Sequence, residues 1–137
     1  MSDESDEDKE LEEIREKKME EMMNEGEDSG VIDAPIKVND STFDEVIKEH
    51  PLIVIDCWAE WCGPCRMLGP IIDTLAKDLS GKVVFGKLNV DENQRTAMQF
   101  KIMSIPSLLV FKDGSLIDTI VGAMPKEALE PKLTKYL

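Results

Sequence analysis

Cysteine is scarce in this chain. Three occur in 137 residues, Cys57, Cys62 and Cys65, an odd number too small for a disulfide framework. Histidine is scarcer still, with His50 alone, so a four-ligand zinc site would be short of donors. Basic charge is also short: 16 Lys and Arg face 29 Asp and Glu, for a net charge of −13. An acidic protein has no electrostatic footprint for nucleic acid and is repelled by anionic membrane surfaces. No apolar run approaches the roughly 20 residues of a membrane helix. The N-terminus lacks the apolar segment of a secretory signal, and there are no internal repeats. These absences point to a soluble cytoplasmic protein, long enough for one domain with a real core. Its cysteines are expected to cycle rather than staple.

The acid that is present is unevenly spread. Residues 1–30 hold 14 acidic and 4 basic residues, net −10, and residues 31–137 hold 15 and 12, net −3. The division expected is therefore an acidic N-terminal extension, 1–30, and a folded domain, 31–137. Ser2 to Glu10 is almost all acid and reads as disordered. From Leu11 to Met23 the residues favour helix, with Leu11, Ile14, Met19, Met22 and Met23 on one side. A solvated, partly helical tail and a docking helix are both consistent with that pattern.

The body alternates between strand and helix patterns. Ile36-Lys37-Val38 reads as an edge strand. Ser41 and Asp44 resemble a capping box ahead of a helix with Phe43, Val46 and Ile47 on its apolar face, closed by His50-Pro51. Leu52 to Trp58 is a buried strand. A helix follows to about Leu79, with a kink expected at Pro70 and a stop at Ser80-Gly81. Lys82 to Val90 is a second apolar strand, and Asp91 caps a short helix through Phe100 with Ala97, Met98 and Phe100 as its apolar members. Ile105 to Phe111, a turn at Asp113-Gly114 and Leu116 to Val121 form a hairpin. Pro125 opens a last helix carrying Leu129, Leu133 and Leu137, with Pro131 inside it. The order β-α-β-α-β-α-β-β-α predicts an α/β fold: a mixed sheet with helices on both faces, its early strands parallel and its last pair antiparallel.

The chain is organised around Trp61-Cys62-Gly63-Pro64-Cys65, where the strand ending at Trp58 gives way to a helix. Cys-x-x-Cys can be half a zinc site, a structural disulfide or a redox pair. The strand–helix context favours redox. A thiol at a helix start meets unpaired N–H groups and the positive end of the helix dipole. Both favour thiolate, the nucleophilic form. Asp56 stands in the middle of an apolar strand, where burial raises a carboxyl pKa.

Asp56-Cys57-Trp58-Ala59-Glu60-Trp61-Cys62-Gly63-Pro64-Cys65-Arg66, together with Ile105-Pro106-Ser107 and Val121-Gly122-Ala123, resembles the thioredoxin family over about residues 35–137. The resemblance implies the thioredoxin fold, a central mixed four- to five-stranded sheet flanked by about four helices. It implies reduction of protein disulfides through Cys62 and Cys65, with Cys62 attacking first and the more shielded Cys65 resolving. Asp56 would take the proton from Cys65, and Lys87 would tune Asp56. Trp61, Gly63, Pro64, Ile105, Pro106, Gly122 and Ala123 would meet the substrate, with a cis peptide before Pro106. In the family, Gly-Pro between the cysteines goes with reducing proteins. The chain has no Gly-rich nucleotide fingerprint, so a separate thioredoxin reductase would re-reduce it. Disulfide-containing clients are the other partners expected, of a monomer that needs no cofactor and no metal. A disulfide isomerase or oxidase, or a docking subunit held through the acidic arm, are the alternatives. Cys57 stands where the family often has Phe and reads as a small apolar core residue. Arg66, Ser104 and Ser107 replace the common Lys, Gly and Thr.

Overall fold

A computed structural model of the chain describes residues 31–137. The expectations for the acidic arm and its amphipathic stretch lie outside the described residues. The described chain runs β1 (Ile36–Lys37), α1 (Phe43–Glu49), β2 (Leu52–Trp58), α2 (Gly63–Asp78), β3 (Val84–Asn89), α3 (Gln94–Gln99), β4 (Ser107–Lys112), β5 (Ser115–Val121) and α4 (Lys126–Thr134).

The five strands form one sheet in the order β1-β3-β2-β4-β5. β1 and β2 both pair parallel to β3. β4 pairs antiparallel to β2, and β5 antiparallel to β4. β2 lies at the centre, and its residues Leu52 to Cys57 are all buried. A strand covered on both faces has no polar side to show, which is why it reads as a continuous apolar run.

Alternation along β2 divides the core in two. Leu52 and Val54 join Leu68, Ile72, Leu75 and Ala76 of α2 and Leu129 and Leu133 of α4. Ile53, Ile55 and Cys57 join Phe43 and Ile47 of α1 with Phe111. On that second face Phe43, Phe100 and Phe111 pack ring against ring, with centroids 5.3 to 5.5 Å apart. Gly86 of β3 lies under the same layer. A Cβ there would come within 2.8 Å of Val38 Cγ2 and 2.9 Å of Ile55 Cδ1, so the close approach of Val38, just past β1, and of β2 leaves no room for a side chain. The β4–β5 turn holds Asp113 at φ 51° and Gly114 at φ 84°, the pair of positive φ values that suits a two-residue hairpin.

Four local expectations are corrected. The Ser41–Asp44 capping box does not form: α1 starts after Thr42 with no side-chain cap. Asn39 Oδ1 instead accepts from the Thr42 N–H at 3.1 Å and the Ser41 hydroxyl at 2.8 Å. Asp91 does not cap α3. That cap comes from Asp40, whose Oδ1 accepts from the Thr96 N–H at 2.9 Å and the Thr96 hydroxyl at 2.6 Å. Met98 is therefore exposed and Thr96 buried, the reverse of the apolar reading. At the C-terminus Leu129 and Leu133 are buried, but Leu137 lies beyond α4 and is exposed. Neither Pro70 nor Pro131 interrupts its helix.

Candidate active site

β2 delivers the chain to the upper end of the sheet, and the backbone turns from Ala59 into α2. Cys62 is the N-cap of α2, one residue outside the helix, rather than in its first turn. Gly63 and Pro64 follow as the opening helical residues. Pro64 fits there because its missing N–H would have had no helical partner. Cys65 completes the first turn. Its backbone N–H donates to Cys62 Sγ at 3.2 Å, so the sulfur takes the place that a Ser or Asp oxygen fills at other helix starts. That sulfur also lies at the N-terminus of a 16-residue helix, the positive end of its dipole.

Cys62 and Cys65 are joined as a disulfide, with Cα atoms 5.3 Å apart. Both are buried, Cys62 at 3 % exposure and Cys65 at 6 %. The greater shielding expected of Cys65 is absent. The reason is packing: the pair clusters with Ala59, against which Trp58, Val90 and Ile105 lean. Ile105 precedes a cis peptide to Pro106, as the resemblance implied. The Pro106 carbonyl accepts from the Gly122 N–H at 2.8 Å, which ties the start of β4 to the end of β5 and brings Gly122 beside the proline. Ala123 is exposed next to it.

Trp61 is the most exposed aromatic ring of the site, at 69 %. Its indole N–H donates to Asp91 Oδ2 at 2.8 Å, so the residue expected to cap α3 steadies this ring instead. Trp61 and Ile105 line a groove with Val90, Ile102, Met103 and Ser104. Val90 and Ile102 escaped the sequence reading. They look like ordinary strand-end and loop residues, and only the fold brings them to the thiols. Met103, on the rim of this groove, is highly exposed.

Asp56 is 2 % exposed, on the α2 face of β2. Its Oδ1 has no hydrogen-bond partner among the described residues. Burial pushes its carboxyl up to about 6; the nearby Lys87 charge opposes that rise and Asp73 adds to it. Lys87 is the β3 residue in register with Asp56, and its ammonium lies 5.5 Å from the centre of the Trp58 ring. The next residue in β2, Cys57, faces the opposite core. Burial pushes its thiol to about 12, with the Asp56 charge adding to the effect. Among the described residues no group of three or more His, Cys, Asp and Glu is placed to hold a metal ion, and no helix is long and apolar enough to cross a membrane.

A disulfide-paired Cys-x-x-Cys at the start of a helix, packed against the residue that precedes a cis proline, defines a dithiol–disulfide oxidoreductase. The relatives agree. The Thioredoxin family model matches residues 34–135, and the chain belongs to the thioredoxin family. It is 52 % identical over 104 residues to a thioredoxin of Staphylococcus haemolyticus, covering 76 % of this chain and 99 % of that protein. It is 50 % identical over 101 residues to the chloroplastic M-type thioredoxin of Pisum sativum, covering 73 % of this chain and 59 % of that one. Among solved structures, a mutant thioredoxin from Halobacterium salinarum NRC-1 matches with a TM-score of 0.71 and 33 % identity, over 76 % of this chain and 91 % of that one. The isomerase, oxidase and docking-subunit alternatives find no support in these relatives.

Proposed function

We propose that the chain reduces protein disulfides in the cytoplasm, with Cys62 opening the exchange and Cys65 closing it. The observation that carries the reading is the N-cap placement of Cys62. Its sulfur accepts the Cys65 N–H and faces the helix dipole, so the thiolate is stabilised before any client arrives. The Cys62 thiolate attacks one sulfur of a client disulfide, and the other client sulfur leaves with the electron pair and takes up a proton. Cys65 then gives its proton to the Asp56 carboxylate and attacks Cys62 Sγ. The Cys62–client bond breaks as the Cys62–Cys65 bond forms, and the second client sulfur leaves as a thiol. Two electrons pass from the pair to the client, and a separate thioredoxin reductase restores them, which makes the protein an electron carrier.

The remaining site residues have distinct parts in this reading. Asp56, at about 6, is mostly carboxylate at neutral pH and can accept the Cys65 proton. Lys87 keeps that carboxyl from rising further. Ile105, ahead of the first residue of β4, offers backbone to an extended client strand. Trp61, Gly63, Pro64, Gly122 and Ala123 form the low-charge surface around it, over the buried Pro106. The body, 31–137, does this chemistry as a monomer; the acidic extension, 1–30, is a tail outside the catalytic unit. The nearly uncharged rim suits client proteins rather than nucleic acid or membrane.

Alkylation across a pH series tests the first step. Cys62 should titrate well below an ordinary thiol, and an ordinary thiol titration would overturn the assignment. A Cys65→Ser variant should accumulate a mixed disulfide at Cys62. A reduction potential near the strongly oxidising end, about −120 mV, would overturn the reducing direction.

A further inference from the structure

Behind Cys65 lies a cavity of about 370 Å³ that opens beside α2. Its wall includes Trp58, Cys65, Gly69, Asp73 and Lys87. Gly69 and Asp73 are four residues apart and so share one face of α2. Gly69 leaves that face bare: a Cβ on it would lie 3.8 Å from Lys87 Nζ. Lys87 thus stretches from β3, where it is in register with Asp56, to Gly69 of α2, one turn before Asp73. No ion pair within 4.0 Å joins Lys87 to either carboxylate among the described residues; the ion pairs found there are those of Lys126 with Asp78 and Glu130. Lys87 therefore sits between an inner carboxylate and an outer one without being locked to either.

We propose that Asp73 is a positioning residue for the resolving step: it shares the Lys87 ammonium with Asp56 across this cavity, and so sets how firmly Asp56 holds the proton it exchanges with Cys65. The inference rests on the reading of Asp56 as the proton acceptor of Cys65. The surroundings of Asp56 support it. β3 contributes Lys87, and α2 contributes Asp73, Cys65 and Arg66. The β2–α2 connection adds Glu60 at the cavity wall. β4 sets apolar Leu108 opposite Asp56, and Cys57 adjoins it in β2. Arg66 also lines the cavity, and its Nη2 donates to the Glu60 carbonyl at 2.9 Å. Lys87 and Asp73 are the charges that act on Asp56, in opposite directions. Asp73 works twice in the same direction: its own charge disfavours the Asp56 carboxylate, and it draws the Lys87 ammonium outward.

The test is a double-mutant cycle on the full chain, read on Asp56 itself. The Asp56 carboxyl is titrated by carbon NMR in the reduced protein, in Asp73→Asn, in Lys87→Met and in the double variant. Asp73→Asn should lower the Asp56 midpoint by about half a pH unit, about threefold in proton affinity. Most of that shift should disappear in the Lys87→Met background. The acid limb of mixed-disulfide resolution, followed by single-turnover kinetics, should move down with the midpoint. An unchanged midpoint in Asp73→Asn overturns the proposal. So does a shift of equal size with and without Lys87, because Asp73 would then act on Asp56 by its own charge alone. Asp73 is exposed, so these variants are expected to fold. An Asp56→Asn variant that kept the acid limb of resolution would instead remove the proton-acceptor role, and the NMR cycle would still report on Asp73.

Discussion

Asp56 and Cys57 are neighbours in one strand, both buried, and they face opposite cores. The same force acts on both, the cost of placing charge in a poor dielectric. On the Cys57 side the layer is filled by apolar side chains and the edge-to-face and tilted rings of Phe43, Phe100 and Phe111. There the thiol is pushed up to about 12 and is silenced. On the Asp56 side a cavity opens along α2, and Lys87 approaches. There the carboxyl is held at about 6, within reach of physiological pH. Burial thus removes one group from chemistry and brings the other into it. The difference lies in the starting pKa and in whether a counter-charge stands near.

The comparison can be broken by exchanging the chemistry of the two faces. Cys57→Asp would put a carboxylate on the filled face with no cavity and no lysine. It should cost about 3–5 kcal/mol in chemical denaturation, and a loss below about 1 kcal/mol would show that the faces do not differ as argued. The opposite change, Asp56→Asn, should stabilise the fold at pH 8 by up to about 3 kcal/mol. The sign follows from the raised carboxyl. Its ordinary value is 3.8 and its folded value about 6, so the folded state binds the proton more tightly. Its charge therefore costs nothing below about pH 4. The cost grows between 4 and 6 and is complete above 6. The gain from Asp56→Asn should shrink towards zero at pH 4, and a gain that did not depend on pH would point to packing instead. The same variant should lose the pH dependence of the resolving step near 6.

Cys57→Ala sharpens the contrast at lower cost. It removes one buried sulfur and should lose about 1 kcal/mol with disulfide reduction unchanged. Native Cys57 should resist alkylation at pH 8 and react once the chain is unfolded. The smallest effect belongs to the cap on the Cys57 face. Hydrogen bonds from Thr96 and Arg95 hold the Asp40 carboxyl below the usual carboxylate range. Its contribution is present above its ordinary 3.8 and is lost as pH falls through the lowered value. Asp40→Ala should speed hydrogen exchange at the Thr96 amide and leave thiol exchange unchanged.

Much of this was legible in the residues. Strand and helix periods placed all nine elements of the described residues, and the Cys-x-x-Cys at a strand–helix junction located the reacting pair. Asp56 stood out as a carboxyl in an apolar strand. Other features were hidden because they join residues far apart in the chain. Asp40 caps a residue 56 positions away, whereas Asp91 is the residue of capping type that lies next to the helix in the chain. Val90 and Ile102 reach the groove by way of a strand end and a loop. The cavity that joins Cys65, Asp73 and Lys87 requires α2 to cross β3, which no periodicity reports.

The order of the letters settled which segments are helix or strand, and that a sulfur would begin a helix, because those outcomes depend on neighbours within a turn or two. Strand order, the antiparallel entry of β4 and the equal burial of the two cysteines were decided only by packing. So was the set of charges that surrounds Asp56. Each depends on which distant surfaces exclude water together, and solvent exclusion is a property of the assembled layers rather than of any one stretch.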